Sequence, residues 1–152
     1  IVVRTYYWAV NKHDHTYIPS PASAKMSIPY GVAVGLLYGK AGLKEYEPQY
    51  VENKEVLNLA SKVSVVSDDE LTSQFPKATT AVVKLKIESG YEIIERVDFP
   101  KGEPENPMSE KEFLDRFIEL VEYGGKTQQE AIKIFNCVKN LDGDMENLFQ
   151  FL

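Results

Sequence analysis

A short segment near the start of the chain carries most of the side chains that could take part in chemistry. It contains His13 and His15 in the sequence HDH, followed by Lys25, Ser27 and Tyr30 in the sequence SAKMSIPY. Lysine and protonated histidine can hold an anion, and serine and tyrosine hydroxyls can donate hydrogen bonds. These five residues are therefore the candidates for a site that binds carboxylates or moves a proton.

Three of the candidates lie at the predicted start of a helix. Apolar residues recur at helical spacing over 23–38, and Pro29 suits a first turn, so the helix begins near Ser27 or bends there. Free backbone N–H groups and the helix dipole favour an anion at such a start, beside Lys25. The alternative is that Tyr30 packs in the core with a satisfied hydroxyl, that Ser27 only caps the helix, and that Lys25 is solvated.

The other chemistry-bearing residues give weaker signals. The two histidines lack further ligands at metal-binding spacing, so we predict no metal site; they are either solvated or in contact with an anionic ligand. The acidic run SDDE over 67–70 is typical of a helix N-terminus. Cys137 has no cysteine partner and lies at an apolar position of a predicted helix, which indicates a buried thiol and favours a cytoplasmic protein.

Composition limits the class of protein. The 152 residues are 43% hydrophobic, which is typical of a globular chain. The formal net charge of −6 argues against a general nucleic-acid binder, which needs a basic face. No apolar run reaches the roughly 20 residues of a membrane span, and no signal peptide is visible. Because the chain begins at Ile1, we expect it to be a piece of a longer protein.

The elements that position the candidates fall into two parts. Residues 1–104 read as an α+β domain, and residues 105–152 read as C-terminal helices. In the first part we predict strands over 1–10 and 63–68, a hairpin over 79–99, and helices over 23–38 and 52–63, with a turn or short helix over 68–75. Because strands and helices are segregated, the fold class is α+β with a small, mostly antiparallel sheet and packed helices.

The second part reads as a C-terminal helical segment. SEKE over 109–112 and TQQE over 127–130 are capping boxes that start two helices, and the glycine pair at 124–125 separates them. DMENLFQFL over 144–152 is predicted to form a third short helix. The apolar faces of these helices exceed what so small a sheet can cover.

Three segments resemble the MmgE/PrpD family. SAKMSIPYGVAVGLLYG is similar to the family's helix with a Ser-Ile/Leu-Pro-Tyr start. NKEVLNLASKVSVVSD is similar to the helix and strand that follow, and VDFPKGEPENPMSEKEFLDRF is similar to the Pro-Lys-Gly-x-Pro-x-Asn-Pro connector and the next helix. The segments occur in the family's order. The chain therefore resembles the family's C-terminal α+β domain followed by its terminal helices.

The resemblance implies a lyase of the 2-methylcitrate dehydratase type. Family members act on small polycarboxylates without a metal or organic cofactor, in a cleft between the α+β domain and a large helical domain that this chain lacks. The resemblance makes Tyr30 the catalytic candidate at the cleft edge, with Lys25, Ser27, His13 and His15 as substrate-binding candidates. The missing N-terminal helical domain, and a second copy of the parent protein, are the expected partners.

A second interpretation comes from a different class. The chain could be a non-catalytic interaction or oligomerisation domain, because the apolar faces of the terminal helices would seek a partner or a second copy.

Overall fold

The computed structural model describes residues 1–140, and the chain divides into two compact units, Ile1–Glu105 and Asn106–Leu152. The first unit consists of β1 (Val2–Thr5), α1 (Tyr7–Val10), α2 (Pro21–Lys25), α3 (Ile28–Tyr38), a 3-10 turn (Lys44–Tyr46), α4 (Pro48–Val51), α5 (Lys54–Ala60), β2 (Ser64–Ser67), α6 (Asp69–Gln74), β3 (Ala81–Lys86) and β4 (Glu92–Val97). The described part of the second unit consists of α7 (Glu110–Tyr123) and α8 (Gln128–Lys139). The predicted α+β class, with a C-terminal helical segment, is confirmed.

The four strands form one sheet in the order β2-β1-β3-β4. Strand β1 runs parallel to β2, with Val3 opposite Val65, and antiparallel to β3, with Val3 opposite Val83. Strands β3 and β4 form the predicted antiparallel hairpin. The sheet is therefore mixed but mostly antiparallel, as predicted, and the first strand of the chain lies at its centre.

The predicted strand over 1–10 is wrong beyond Thr5, because tertiary contacts turn the chain into α1. The Tyr6 ring stacks on the Phe75 ring at a centroid distance of 4.8 Å. The Tyr7 backbone N–H donates to Thr72 Oγ1 at 3.0 Å, which ties the start of α1 to α6. Aromatic residues that favour a strand by propensity are thus held in a helix by packing.

The core of the first unit lies between α3 and the helices around it. In α3, Tyr30, Ala33 and Val34 are fully buried, and they form one cluster with Val56 and Ala60 of α5. These three positions of α3 follow the i, i+3, i+4 spacing of one helix face. The helix that carries the candidate site residues is therefore anchored through the same turn that contains Tyr30.

The predicted helix over 23–38 is two helices, α2 and α3, with Met26 and Ser27 between them. Ser27 has an extended backbone, with φ −110° and ψ 113°, and its Oγ accepts a hydrogen bond from the Tyr30 N–H at 3.2 Å. An N-cap residue is by nature outside the helix that it caps, so a continuous helix through Ser27 is excluded. The predicted start near Ser27 is confirmed for α3.

Local capping signals are confirmed elsewhere. Asp68 caps α6 and is followed by the acidic first turn that the run SDDE predicted. Both capping boxes are formed, at Ser109 and at Thr127. Gly39 ends α3 with a left-handed φ of 71°, and Gly102 takes a φ of 104° in the proline-rich connector.

The second unit is described as a pair of helices. The Phe135 ring of α8 lies 5.9 Å from the Phe113 ring and 5.6 Å from the Phe117 ring of α7, measured between centroids. Of residues 106–140, only Ala131 is fully buried. The third helix predicted over 144–152 lies outside the described residues.

Candidate functional site

An open groove with a volume of about 520 Å³ lies where α3 begins. Its polar lining includes His13, Lys25, Ser27 and Tyr46, and aromatic side chains such as Trp8 form part of its wall. The structure therefore brings together three of the five predicted site residues, which are His13, Lys25 and Ser27. It adds Tyr46, which the sequence did not single out.

His13 is held by the start of α3 through two hydrogen bonds. Its carbonyl oxygen accepts from the Ile28 N–H at 2.8 Å, and its Nδ1 lies 2.9 Å from the Met26 carbonyl oxygen. Because a carbonyl can only accept, Nδ1 must carry a proton, so Nε2 is the atom left for a ligand, and it donates to a carboxylate when the ring is doubly protonated. A loop histidine thus has a fixed ring orientation beside the groove.

Lys25 supplies the cation of the groove. It is the last residue of α2, its side chain is exposed, and no carboxylate within residues 1–140 pairs with it. None of the residues that line the groove in this part of the chain is an aspartate or glutamate. An anionic ligand would therefore meet a positive charge that no carboxylate of residues 1–140 already pairs with.

Ser27 lines the groove, but its hydroxyl is engaged within the protein. It donates to the His15 carbonyl oxygen at 2.6 Å and accepts from the Tyr30 N–H at 3.2 Å. The residue is only 5% exposed. Ser27 therefore acts in this structure as the helix cap that the alternative interpretation described, and the hydroxyl has no spare proton for a ligand.

The backbone at the start of α3 is likewise satisfied. The N–H groups of Ile28, Tyr30 and Gly31 donate to His13 O, Ser27 Oγ and Ser27 O, respectively, and Pro29 has no N–H. The expectation that backbone N–H groups at this helix start are free to bind an anion is therefore wrong. Any anion in the groove must be held by side chains.

Tyr30 does not lie at a cleft edge, which corrects the position expected for it. Its side chain is fully buried, and its hydroxyl donates to the Glu45 carbonyl oxygen at 2.6 Å. Burial, helped by the neighbouring Tyr46, Tyr38 and Glu45, raises the pKa of Tyr30 to about 12. This is the core tyrosine of the alternative interpretation, with a strong internal hydrogen bond and no opening to the groove.

His15 also lies away from the groove lining. Its Nδ1 is 3.1 Å from the Lys12 carbonyl oxygen, and its Nε2 is 3.2 Å from Ser23 Oγ. Because both ring nitrogens have protein partners, His15 braces the loop before α2. Its predicted part in substrate binding has no counterpart in these contacts.

The sequence of the domain that carries this groove matches a known protein family. Residues 1–141 match the model of the MmgE/PrpD C-terminal domain. The chain belongs to the MmgE/PrpD family. No match to a curated protein was found.

In this MmgE/PrpD domain, Tyr46 lines the groove although the sequence did not single it out. It ends the 3-10 turn Lys44–Tyr46, and its half-buried ring packs against the Tyr30 ring at a centroid distance of 5.4 Å. Burial, and then the Glu45 carboxylate, raise the pKa of Tyr46 above the usual tyrosine value. The segment KEYEP carries no periodic or motif signal, so only the fold brings Tyr46 to the groove.

The described part of this MmgE/PrpD chain has neither a metal-binding cluster nor a helix suited to a membrane. Within residues 1–140, no group of three or more histidine, cysteine, aspartate or glutamate side chains could hold a metal ion. None of the helices in that range combines the length and the apolar character that crossing a bilayer requires.

Proposed function

We propose that this chain is the C-terminal part of a cofactor-independent lyase of the 2-methylcitrate dehydratase type. It would act on a small polycarboxylate, and the groove at the start of α3 would form one wall of the active-site cleft. The observation that carries this proposal is the match of residues 1–141 to the MmgE/PrpD C-terminal domain.

The charges of the groove support a polycarboxylate as the ligand. Lys25 offers an exposed ammonium group, and His13 presents the Nε2 edge of a ring whose Nδ1 is already fixed. Breaking a bond beside a carboxylate-bearing carbon develops negative charge, which a nearby cation or hydrogen-bond donor stabilises. Lys25 and His13 are therefore the residues of this domain that we assign to substrate binding.

The remaining catalytic groups would come from the helical domain. Orientation of the reacting groups by two facing walls supplies much of the rate enhancement in such a cleft. We accordingly expect the 152-residue chain alone to give little or no turnover of 2-methylcitrate or cis-aconitate. Turnover comparable to that of an intact family enzyme would contradict the division of the site between two domains.

Binding to the chain tests the proposal directly. Titration calorimetry with citrate should give saturable binding, and Lys25→Met should weaken it by about fivefold, the effect of one exposed charge pair in water. Lys54→Met is the matched control, since Lys54 is exposed and does not line the groove. Propionate, with one carboxylate, should bind far more weakly than citrate. Absence of citrate binding, or equal loss in both lysine variants, would contradict the assignment of the groove.

The partners and the cellular location follow from the same proposal. The parent enzyme would pair this domain with a helical domain and assemble as a homo-oligomer. A cytoplasmic location remains a prediction that rests on the single cysteine of the chain.

One observation favours the second candidate function, a non-catalytic interaction or oligomerisation domain. An apolar groove of about 440 Å³ lies along α7 and α8, lined mainly by Phe113, Phe117, Phe135 and Val138. Phe113 is 55% exposed and Val138 is 52% exposed. Light scattering distinguishes self-association from binding of a different partner, because a monodisperse monomer would exclude self-association through these helices.

A further inference from the structure

The position of the Tyr46 hydroxyl is fixed by packing on two sides. Its ring is tilted by 46° against the Tyr30 ring, at a centroid distance of 5.4 Å. On the other side the hydroxyl lies beside α3, where a Cβ built on Gly31 would stand 3.6 Å from it. A phenol held between a buried ring and a helix has little freedom to leave the groove, which Tyr46 and Gly31 both line.

The Tyr46 hydroxyl has no hydrogen-bond partner within residues 1–140, although the residue is half-buried. Its hydroxyl oxygen is not one of the fully buried, unpaired polar atoms of that part of the chain, so the oxygen is accessible to solvent. Tyrosine hydroxyls in partly buried positions generally find a partner. Unlike Tyr30, whose hydroxyl donates internally at 2.6 Å, Tyr46 has a phenol that can donate into the groove; Tyr6 lines the same groove, and Tyr46 is the one whose hydroxyl lies beside Gly31 at the start of α3.

The chemistry of the groove suits a donor of this kind. Lys25 offers a cation and His13 offers Nε2, whereas aromatic rings such as those of Trp8 and Phe75 form an apolar wall. A ligand with several carboxylates on a short carbon skeleton needs several separate donors and an apolar surface for the skeleton. A tyrosine phenol keeps its proton at neutral pH, and burial raises the pKa of Tyr46 further in the same direction, so Tyr46 can act as a donor there.

We propose that the Tyr46 hydroxyl donates a hydrogen bond to one carboxylate of the polycarboxylate whose other carboxylates contact Lys25 and His13. This inference rests on the proposed function and makes Tyr46, in place of Tyr30, a ligand-contacting tyrosine of the domain. No covalent step is assigned to Tyr46.

The test uses the full 152-residue chain, citrate as the probe, and tyrosine labelled with ¹³C at Cζ. Tyr46→Phe should weaken citrate binding by about tenfold to a hundredfold, the usual effect of a lost hydrogen bond to a charged group. The Tyr46 Cζ resonance should shift on titration with the same Kd that calorimetry gives. Tyr17→Phe is the matched control, because Tyr17 is 80% exposed and does not line the groove.

A structural role predicts a different pattern of results. Since the Tyr46 hydroxyl makes no internal bond within the described residues, Tyr46→Phe should leave the unfolding midpoint unchanged. A large loss of stability in that variant, with citrate affinity falling only in proportion, would overturn the inference.

The remaining outcomes separate this inference from the proposed function. If citrate binds and Lys25→Met weakens it, but Tyr46→Phe binds equally well with no Cζ shift, the role of Tyr46 is overturned and the proposed function stands. If the unmodified chain binds no citrate, both are overturned.

Discussion

The Tyr30 hydroxyl donates a 2.6 Å hydrogen bond to the carbonyl oxygen of Glu45, which joins the first turn of α3 to the 3-10 turn that ends at Tyr46. This bond holds two segments of the first unit together at the groove. It explains how the groove keeps its shape although most of its lining comes from short elements and loops.

Replacing Tyr30 by phenylalanine should lower the free energy of unfolding by about 1–2 kcal/mol, because the buried Glu45 carbonyl oxygen loses its donor. Urea unfolding followed by circular dichroism gives the value. Tyr17→Phe should change it by less than about 0.5 kcal/mol, as expected for an exposed site. A Tyr30→Phe chain with unchanged stability but lost citrate binding would instead restore Tyr30 as a ligand contact.

Stability should also fall at high pH through Tyr30. Its pKa is about 12 in the folded chain and about 10 in the unfolded chain, so the folded state retains the phenol proton longer. The stabilisation is fully present below about pH 10 and is lost as the pH rises towards about 12. The stability difference between the unmodified chain and Tyr30→Phe should therefore shrink as urea midpoints are taken upward from about pH 9. A difference independent of pH over that window would show that the folded state does not favour the protonated phenol.

Ser27→Ala should destabilise the first unit by about 1–2 kcal/mol, because α3 loses its N-cap and His15 O loses a donor. The matched control is Ser89→Ala, in the exposed turn of the β3–β4 hairpin, which should be nearly neutral. Thermal unfolding of both variants provides the comparison. Equal midpoints for the two would mean that the cap contributes nothing measurable.

Two glycines of α3 should respond to alanine with opposite signs. Gly35 lies inside the helix with nothing within 4 Å of a new Cβ, so Gly35→Ala should stabilise by up to about 1 kcal/mol. Gly39 ends the helix at φ 71°, so Gly39→Ala should cost about 1 kcal/mol. Denaturant midpoints of the two variants measure both effects, and changes of the same sign would contradict the cap geometry.

Much of the fold could be predicted because its signals are local. The hairpin over 81–97 is marked by alternation around a Ser-Gly turn, and the capping boxes at Ser109 and Thr127 each need only four residues. The extent of the first strand could not be predicted. It ends at Thr5 because Tyr6 stacks on Phe75, a contact between residues far apart in sequence.

The grouping of three candidate residues could be predicted because it too depends on residues close together in sequence. His13, Lys25 and Ser27 reach one groove because short connections link them to the start of α3. Tyr30 was misplaced even though Tyr30, Ala33 and Val34 share the spacing of one buried helix face, a signal that was present in the sequence. Tyr46 gave no such signal, since its position depends on how the turn after α3 folds back on that helix.

The central place of β1 in the sheet has a practical consequence for anyone who shortens the chain. Terminal residues usually tolerate removal, yet here Val2–Thr5 bridges two strands that do not pair with each other. An expression clone trimmed to begin at Tyr6 would leave β2 without a neighbour and β3–β4 as a lone ribbon. Deletion mapping from this side should therefore abolish soluble yield abruptly once β1 is removed.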